Sequence, residues 1–595
     1  MEVWAPKAES VVLDALADGE AVVEPLTQGK GGWWRWDGDP TAYRVLDYGF
    51  RLDDGAVLPD PRSPWQPDGV HERSRWWTGQ PLAERDPAWP GPRGGVGTPG
   101  GVIYEMHVGT FTSEGTLDSA IERLHHLLDL GVDVVEILPV AAFPGDRGWG
   151  YDGVGFYSVH DAYGGPDALI RFVDACHARG LGVCLDVVYN HLGPVGNYLG
   201  LFGPYFTDRH HTPWGWAVNF DTEGSSVVRR FITDAAVRWF ELFGVDALRL
   251  DAVHELRDDS PLTQGGRHVL AELSEVVAAA SERLGRPLDL IAESDQNDAI
   301  MVTPVAQGGL GMDAQWADDV HHALHVALTG ESQGYYADFD DPGALAKTLT
   351  SAFFHDGTFS SFRARNWGAP VDRTTMSGHR FVAYLQTHDQ VGNRAVGDRI
   401  HHGLTPGQQA IGAALYLLSA FTPMVFMGEE WAASTPWQFF TDFPDPELGR
   451  AVSEGRRGEF AAHGWSKDEV PDPQDPQTFE ASILKWSEVG VGDHRAMLQW
   501  YRRLIELRRS EPALSDGNLA AVVVERTPGA RATDGWVIMR RGEFSVVANL
   551  DPEPVTIDLG REVGEVVAHF GDLLKSRKGP QALRLGGHSV VVVRS

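Results

Sequence analysis

From about residue 101 onward, short apolar runs bounded by turn residues alternate with longer segments whose apolar positions follow a helical period. Several of these runs are nearly continuous in Val, Ile and Leu, which is typical of strands covered on both faces. Strands that alternate with helices favour a parallel sheet, and eight of them predict a closed α/β barrel of the (β/α)8 TIM type. The predicted strands cover residues 101–108, 132–139, 182–189, 247–253, 288–292, 311–316, 381–386 and 424–427. The predicted helices cover residues 117–130, 166–179, 226–243, 265–284 and 496–509.

Shorter β-like runs flank this central region on both sides. Before about residue 88 they are separated by Gly, Asp and Pro, the pattern of a small sandwich, and the Pro- and Gly-rich residues 86–101 resemble a linker. After about residue 515 the helical pattern disappears. We therefore predict three domains: an N-terminal β-sandwich over residues 1–90, a catalytic barrel over 91–515 and a C-terminal antiparallel β-sandwich over 516–595. Two long insertions follow strand ends, where such loops usually carry function, at about 191–223 and 428–493.

The overall charge narrows the class of partner. The 50 Lys and Arg residues against 83 Asp and Glu residues give a formal net charge of −33, which opposes binding to nucleic acid or to an anionic membrane surface. A neutral substrate fits better. No stretch approaches the roughly 20 apolar residues of a membrane span, and residues 1–10 lack the pattern of a signal peptide, so we expect a cytoplasmic protein. Its two cysteines, Cys176 and Cys184, are expected to be buried free thiols.

Polar motifs stand at the ends of the predicted strands, where barrels of this type build their active sites. A single Asp or His at such a position is more often a loop cap or a satisfied core group than a functional residue. Arg249 and Asp251, however, lie two positions apart in an apolar strand and so project the same way, into the barrel mouth. Charge placed there is costly unless it is paired. The motifs are WGYD (149–152), DVVYNH (186–191), LRLDAVHE (248–255), IAES (291–294) and LQTHD (385–389).

Three carboxylates and an arginine at one rim suit glycoside cleavage, which needs one carboxylic acid to protonate the leaving oxygen and one carboxylate to attack or to activate water. The nucleophile motif GxSxG and the zinc motif HExxH are absent. The adjacent His pairs at 210–211 and 321–322 are poorly spaced to share one metal ion. The glycine-rich stretch before the first strand lacks the Lys-Ser/Thr of a phosphate loop. We expect no metal and no cofactor.

In their order along an eight-strand barrel, DVVYNH, LRLDAVHE, IAES and LQTHD resemble the four signature regions of glycoside hydrolase family 13, the α-amylase superfamily, over roughly residues 103–431. The resemblance implies a retaining double displacement with Asp251 as nucleophile, Glu293 as acid/base and Asp389 as the third essential carboxylate. Arg249 should favour the ionised form of Asp251, whereas Glu293 needs a raised pKa, which burial could supply. The carboxyl groups of Asp251 and Glu293 should then lie about 5 to 5.5 Å apart.

The same resemblance implies contacts to the reacting sugar. Tyr151 would stack against the ring, and His191 and His388 would bind its hydroxyls, with Asp186 and Asn190 in support. Many members of the superfamily hold calcium near the position of Asn190, but this sequence shows no carboxylate cluster to complete such a site, so we predict none.

A closer resemblance lies with the group of this superfamily that releases trehalose from maltooligosyl trehalose by hydrolysing the adjoining α-1,4 bond. It rests on IYEMHVGTFTSEGT, LPVAAFPGDRGWGYDGVGFYSV, YNHLGPVGNYLGLFGPYFTD, TPWGWAVNFD and MGEEW, and on DPRSPWQPDGVH in an N-terminal region that resembles a carbohydrate-binding module. No cofactor is implied. Further expected substrate contacts, mostly on the leaving-group side, are Asp152, Trp214, Trp216, His254, Glu255 and residues of the loop 431–442.

Two alternatives stay open at this point. The first is a branching glucanotransferase of the same superfamily, although such enzymes typically carry WGYQ where this chain has WGYD. The second is a glucan-binding barrel without catalysis, which would leave the three carboxylates free to change. The sequence does not reveal the oligomeric state, the preferred chain length or whether the terminal domains bind glucan.

Overall fold

The computed structural model describes residues 1–263, 265–461, 466 and 469–595. Its centre is a closed barrel of eight parallel strands, which confirms the predicted fold class. Seven of the predicted runs contain a barrel strand, including the short sixth one, and the eighth strand begins two residues before its predicted run. In chain order the strands are β1 (Ile103–Met106), β2 (Val134–Ile137), β3 (Gly182–Val187), β4 (Ala247–Leu250), β5 (Asp289–Ala292), β6 (Ala314–Trp316), β7 (Phe381–Tyr384) and β8 (Thr422–Phe426).

Inward-facing side chains form layers along the barrel axis, because successive residues of a strand point to opposite faces. The lower layer is apolar and fully buried, and every strand contributes to it: Ile103, Val134, Cys184, Ala247, Ile291, Ala314, Val382 and Met424. Two positions further along five of the strands stand ionisable residues, namely Glu105, Glu136, Asp186, Arg249 and Glu293. An apolar plug therefore supports a charged layer near the carboxyl ends of the strands.

Helices surround the barrel, and others form part of its long insertions. The helix predicted over 117–130 is split in two, and the one predicted over 226–243 ends in a π turn at Trp239–Phe243. The longer helices are Leu117–Ile121, Leu124–Leu130, Gly165–His177, Ser225–Arg238, Val269–Leu284, Asp318–Thr329, Ala344–Ser351, Pro406–Leu417, Pro446–Ala461, Pro476–Ser482 and Gly492–Ser510. The predicted helices did not include those over Asp318–Thr329, Ala344–Ser351, Pro406–Leu417, Pro446–Ala461 and Pro476–Ser482. Single-turn helices occur at Leu82–Arg85, Pro92–Gly95, Val108–Phe111, Leu199–Phe202, Ser260–Thr263, His388–Gly392 and Pro512–Ser515.

Long insertions rise from the carboxyl end of the barrel. The one over 191–223 carries the hairpin Phe206–Thr212/Gly215–Val218. The one over 428–493 carries two helices, and its residues 462–465, 467 and 468 lie outside the described part of the chain. A third insertion, between β6 and β7, was not predicted and includes the hairpin Thr358–Ser360/Arg365–Trp367.

Antiparallel sheets form both ends of the chain, as expected. The N-terminal part has a five-stranded sheet of Glu20–Pro25, Val11–Ala17, Leu46–Leu52, Val57–Leu58 and Ser74–Arg75, and a three-stranded sheet of Glu2–Trp4, Trp33–Arg35 and Thr27–Gln28. The C-terminal part has a five-stranded sheet of Val522–Arg526, Trp536–Arg541, Phe544–Asn549, Ser589–Arg594 and Glu565–Phe570, and a three-stranded sheet of Val555–Asp558, Ala582–Leu585 and Leu573–Leu574. The predicted domain bounds at residues 90 and 515 stay predictions.

Residues 86–101, predicted as a linker, pack against the barrel instead. The indole of Trp89 stacks on His177 at 4.1 Å and donates a hydrogen bond to Asp246. The N-terminal part uses its aromatic rings in the same way, since Trp77 stacks on Phe243 at 5.4 Å. Aromatic side chains therefore stabilise the interface between the N-terminal part and the barrel.

Cys176 and Cys184 are buried free thiols, as predicted. Among the described helices, none combines the length and the apolar character needed to cross a lipid bilayer.

Candidate active site

Arg249 contacts three carboxylates of the site, those of Asp186, Asp251 and Glu293, and is called its hub below. It lies on β4, and its side chain is fully buried. Its Nη1 donates to both carboxylate oxygens of Asp186 on the neighbouring β3, at 2.8 and 3.0 Å, and to Asp251 at 2.9 Å. Burial alone would lower the pKa of Arg249, but the surrounding carboxylates raise it well above its ordinary value. The expectation that Arg249 and Asp251 project together into the barrel mouth is confirmed.

Glu293 follows β5 and faces the same guanidinium, with its Oε2 3.8 Å from Nη2 of Arg249. The same oxygen accepts the backbone N–H of Ala252 at 2.5 Å. Ala252 has φ +39°, a conformation that non-glycine residues rarely adopt, and it stands directly after Asp251. Burial raises the pKa of Glu293 to about 8, against the effect of Arg249. The pKa of Glu293 is thus shifted upward, in the direction that a proton donor needs.

Tyr151 and His388 close the other side of the site. The Tyr151 hydroxyl donates to Asp186 at 2.6 Å and lies 2.8 Å from Nε2 of His388. The two rings are stacked, 5.2 Å apart. Burial opposes a charged ring, but Asp389 and Glu105 raise the pKa of His388 to about 9. Asp389 is the most open of the three carboxylates, with 43% of its side chain exposed and Oδ1 3.5 Å from Nε2 of His388.

Asn190 and His191 connect the end of β3 to the nucleophile candidate. The Asn190 amide donates to Oδ2 of Asp251 at 2.8 Å and to its backbone carbonyl at 2.7 Å. His191 contacts Asn190 through Nδ1 and the Tyr151 carbonyl through Nε2, at 3.0 Å for the latter. The structure thus links the predicted residues Tyr151, His191, Arg249, Asp251, Glu293, His388 and Asp389 in one contact network.

An apolar cavity of about 470 Å³ opens beside this network. The indole of Trp214 stacks on the His191 ring at 4.1 Å and is 51% exposed, and Trp216 is 61% exposed. Asp152 lines the same cavity, and burial raises its pKa to about 6. The far wall comes from the insertion after β8, with Phe439, Phe443, Leu448 and Val452. Flat exposed rings facing an apolar wall can hold the apolar faces of sugar rings.

A second, more polar cavity of about 260 Å³ is lined by Asp389 and shares no lining residue with the first. Its exposed rings are Tyr335 and Phe362, and the Arg363 guanidinium reaches Asp295 at 2.8 Å. Sequence reasoning missed most of this wall, which comes from the unpredicted insertion between β6 and β7. The aromatic pair at 335–336 and the FRAR segment at 362–365 were the available signals. The cavity also includes Asn297, Asp318, Asp319, His322, Phe339, His355, Gln390 and Asn393.

The other predicted contacts lie at the margins. His254 has Nδ1 3.8 Å from Asp295, beside the second cavity, whereas Glu255 is buried and forms a two-bond ion pair with Arg257. In the loop 431–442, Trp431 and Trp437 are fully buried and serve packing, whereas Phe439 lines the apolar cavity. Trp149 also packs, stacked on Trp437 at 4.5 Å.

One group of residues outside the site has the donor types that a metal ion uses: His210, Asp221 and Asp259 offer ligand atoms within 4.8 Å of one another. Arg209 already lies 3.6 Å from Asp221 and 3.4 Å from Asp259, and His210 bonds Asp221 at 2.7 Å. A cation would have to displace that guanidinium, so these residues make an ion-pair cluster.

Comparisons with known proteins agree with this geometry. Residues 83–200 match the family model of the alpha amylase catalytic domain. A malto-oligosyltrehalose trehalohydrolase from Arthrobacter ramosus is 50% identical, across 100% of this chain and 99% of its own length. A solved structure named for an alpha amylase from Salmonella typhimurium superposes with a TM-score of 0.85 at 35% identity, across 100% of this chain and 97% of the other. A 1,4-alpha-glucan branching enzyme from Bacillus caldolyticus is 31% identical over only 53% of this chain and 50% of its own. The chain therefore belongs to the malto-oligosyltrehalose trehalohydrolase family of the α-amylase superfamily.

Proposed function

We propose that the protein hydrolyses the α-1,4-glucosidic bond next to the terminal trehalose of maltooligosyl trehalose and releases trehalose. The observation that carries the chemistry is the arrangement of Asp251 and Glu293 around one buried guanidinium. Two carboxyl groups in one site, one paired with a cation and one holding a proton, are the two roles that glycoside cleavage needs. The trehalose end of the substrate is taken from the relatives.

Asp251 is the proposed nucleophile. Its carboxylate is held by Arg249 and Asn190, which leaves it little freedom to rotate and aims it into the barrel mouth. Attack on the anomeric carbon forms a glycosyl ester while the glycosidic C–O bond breaks. Glu293 gives its proton to the departing trehalose oxygen in this step. A water molecule then loses a proton to Glu293 and cleaves the ester, so that both carboxyl groups return to their starting states with net retention.

Asp389 and His388 are proposed to bind hydroxyls of the reacting sugar, and Tyr151 to lie against its ring. The hydrogen-bond pattern supports this division, because the Tyr151 hydroxyl is fully used by Asp186 and His388, which leaves its ring as the surface for the sugar. Asp389 is the carboxylate with an exposed face, as a hydroxyl ligand needs.

The two cavities suggest where the rest of the substrate lies. The second cavity adjoins Asp295, two residues beyond the proposed acid Glu293, and we place the trehalose unit there, with His254 at its edge. The apolar cavity with Trp214 and Trp216 would then hold glucose units on the opposite side of the cleaved bond. This differs from the leaving-group side that the sequence suggested for these tryptophans.

Partners follow from the same reasoning. A neutral glucan suits a protein with a net charge of −33, and we expect neither nucleic acid nor a membrane as partner. A cytoplasmic location stays a prediction of the sequence.

Product analysis tests the proposal. The purified protein is incubated with maltotriosyl trehalose and, separately, with maltopentaose and amylose. We expect free trehalose from the first and much slower turnover of the second. New branch points in amylose would instead support the branching reaction.

The variant Asp251→Asn separates catalysis from simple binding. We expect it to lose turnover by several orders of magnitude while retaining the substrate. Unchanged product formation would remove Asp251 from the role of nucleophile.

A further inference from the structure

Glu105 lies inside the barrel on β1, one layer above the apolar plug, and is 1% exposed. Its carboxylate contacts two N–H groups of His388. Oε2 accepts the backbone N–H at 3.0 Å, and Oε1 lies 2.6 Å from ring Nδ1. Since a buried charge is costly unless it is paired, this double contact accounts for an acidic residue in an otherwise apolar strand.

The contacts of His388 fix the positions of its protons. Nδ1 faces a carboxylate and so carries a proton. Nε2 faces the Tyr151 hydroxyl, whose single proton is already given to Asp186 at 2.6 Å. Arg249 donates to both oxygens of Asp186, which keeps that group an acceptor. The Tyr151 oxygen must then accept from Nε2, and both ring nitrogens of His388 are donors.

We propose that Glu105 is a positioning residue, which holds the ring of His388 doubly protonated and thereby directs the hydrogen bond from His388 to Tyr151. The inference rests on the hydrolytic function proposed above. Because Tyr151 accepts from His388, its own proton goes to Asp186. Asp186 also accepts two hydrogen bonds from Arg249. Glu105 thus sets the orientation of the sugar platform and of the groups around the nucleophile without touching substrate.

Several other charges face His388, and they do not all favour the protonated ring. Asp389, on the same segment, and Asp186, on β3, favour it, whereas Arg249 and burial oppose it. His107 lies near enough for the two rings to disfavour each other's charge. Among the described residues, the titratable and charged groups that face His388 are Glu105, His107, Tyr151, Asp186, Arg249 and Asp389.

Glu105→Gln is the informative change, because it keeps the size and one acceptor oxygen while removing the charge. The one amide oxygen of Gln can accept only one of the two His388 N–H groups. Where it accepts from Nδ1, Nε2 of the neutral ring becomes an acceptor and competes with Asp186 for the one proton of Tyr151. Where it accepts the backbone N–H, its NH2 donates to Nδ1, and the ring keeps its proton on Nε2 but loses its charge. In either arrangement the imidazolium donor beside Asp389 is lost. We expect the protonated ring, and activity with it, to return as the pH falls.

The test measures kcat/KM on maltotriosyl trehalose from pH 5 to 9 for the wild type, Glu105→Gln and Glu105→Asp. We expect Glu105→Gln to lose at least tenfold more activity relative to the wild type at pH 8 than at pH 5.5. Glu105→Asp keeps the charge, so its profile should keep the wild-type shape even if its rate is lower.

Glu136→Gln is the matched control. Glu136 pairs in register with Glu105 on the neighbouring β2 and is equally buried. Burial raises its pKa to about 8, so that the protonated form is favoured up to pH 7. We expect the shape of its pH profile to match the wild type up to that pH. A pH-independent loss in Glu105→Gln, or an equal change of shape in Glu136→Gln, would overturn the proposal.

A second measurement needs neither activity nor a stable variant at Glu105. In wild-type protein labelled with ¹⁵N at histidine, the His388 signals, assigned by their loss in His388→Asn, should report two protonated ring nitrogens up to pH 8. A singly protonated ring at pH 7 would overturn the proposal. Absence of trehalose release with a doubly protonated ring would instead refute the proposed function alone.

Discussion

Replacing Glu293 by Gln tests the roles proposed for the two carboxyl groups, Asp251 as nucleophile and Glu293 as acid/base. Burial raises the pKa of Glu293 above neutral pH, which favours the protonated form that can donate to the leaving oxygen. Gln keeps the shape and the oxygen that accepts from Ala252, but has no proton to give. Loss of general acid–base catalysis costs about 10² to 10⁴ in rate, or about 3 to 5 kcal/mol in the barrier.

The loss should depend on the leaving group. On maltotriosyl trehalose we expect kcat to fall by that full factor. On α-maltotriosyl fluoride, whose leaving group needs no proton, formation of the glycosyl ester should be much less affected. Azide needs no base to attack this ester, so added azide should restore turnover and give an α-glycosyl azide. Asp251→Asn, which cannot form the ester, is the control and should not be rescued in this way.

Whereas Glu293→Gln should lose activity, its stability relative to the wild type should increase as the pH rises. The unfolded chain ionises Glu293 near its ordinary pKa of 4.5, whereas the folded protein holds the proton to about pH 8. Between these values the folded state binds more protons, so the contribution of Glu293 to the free energy of unfolding falls as the pH rises. Glu293→Gln removes that dependence. Its urea midpoint relative to the wild type should therefore rise from pH 5 to pH 8.

Two results would refute this reasoning. One is a kcat on maltotriosyl trehalose within tenfold of the wild type. The other is an equal loss on the trehalose and fluoride substrates, because the effect would then lie in geometry and not in proton transfer.

Two further changes test the hub and the apolar cavity. Arg249→Met leaves Asp186 and Asp251 without their buried cation, so the free energy of unfolding should fall by about 3 to 5 kcal/mol, read from the urea midpoint; an unchanged midpoint would show that the hub is not needed for folding. Trp214→Ala removes a half-exposed ring stacked on His191, so KM should rise about three- to tenfold with kcat nearly constant. An equal effect of Leu201→Ala, an exposed residue of the same insertion that does not line the cavity, would show that the loss of the ring is not specific.

The barrel could be predicted from the sequence because its strands are buried on both faces and bounded by turn residues. The helices Asp318–Thr329 and Pro406–Leu417 were missed for a related reason. Both are buried almost throughout, so they lack the polar face that makes a helical period visible. The first also carries two buried histidines, His321 and His325, at positions where apolar residues are expected.

The site residues also fall into two groups, those that the sequence could place and those that it could not. Residues within the strand-end motifs could be placed together, because the carboxyl ends of barrel strands meet at one rim. The cavity that holds Tyr335 and Phe362 could not, because these two rings lie more than 40 residues after the proposed acid Glu293 in the chain, in an insertion with no motif of its own. Contacts of this kind depend on how loops fold back, which spacing does not specify.

Glu105 could be predicted only in part: its position in the barrel could be derived from the sequence, but its partner could not. The rule that singled out Arg249, namely that charge in a buried strand must have a partner, applies equally to the Glu in IYEM. Alternation along β1 also places it on the inward face, in the layer of Asp186 and Arg249. What the sequence lacks is the partner, since His388 is 283 residues away. An unexplained inward charge is therefore a prediction that some distant polar group must reach it, and in this barrel that group is the proposed sugar ligand His388.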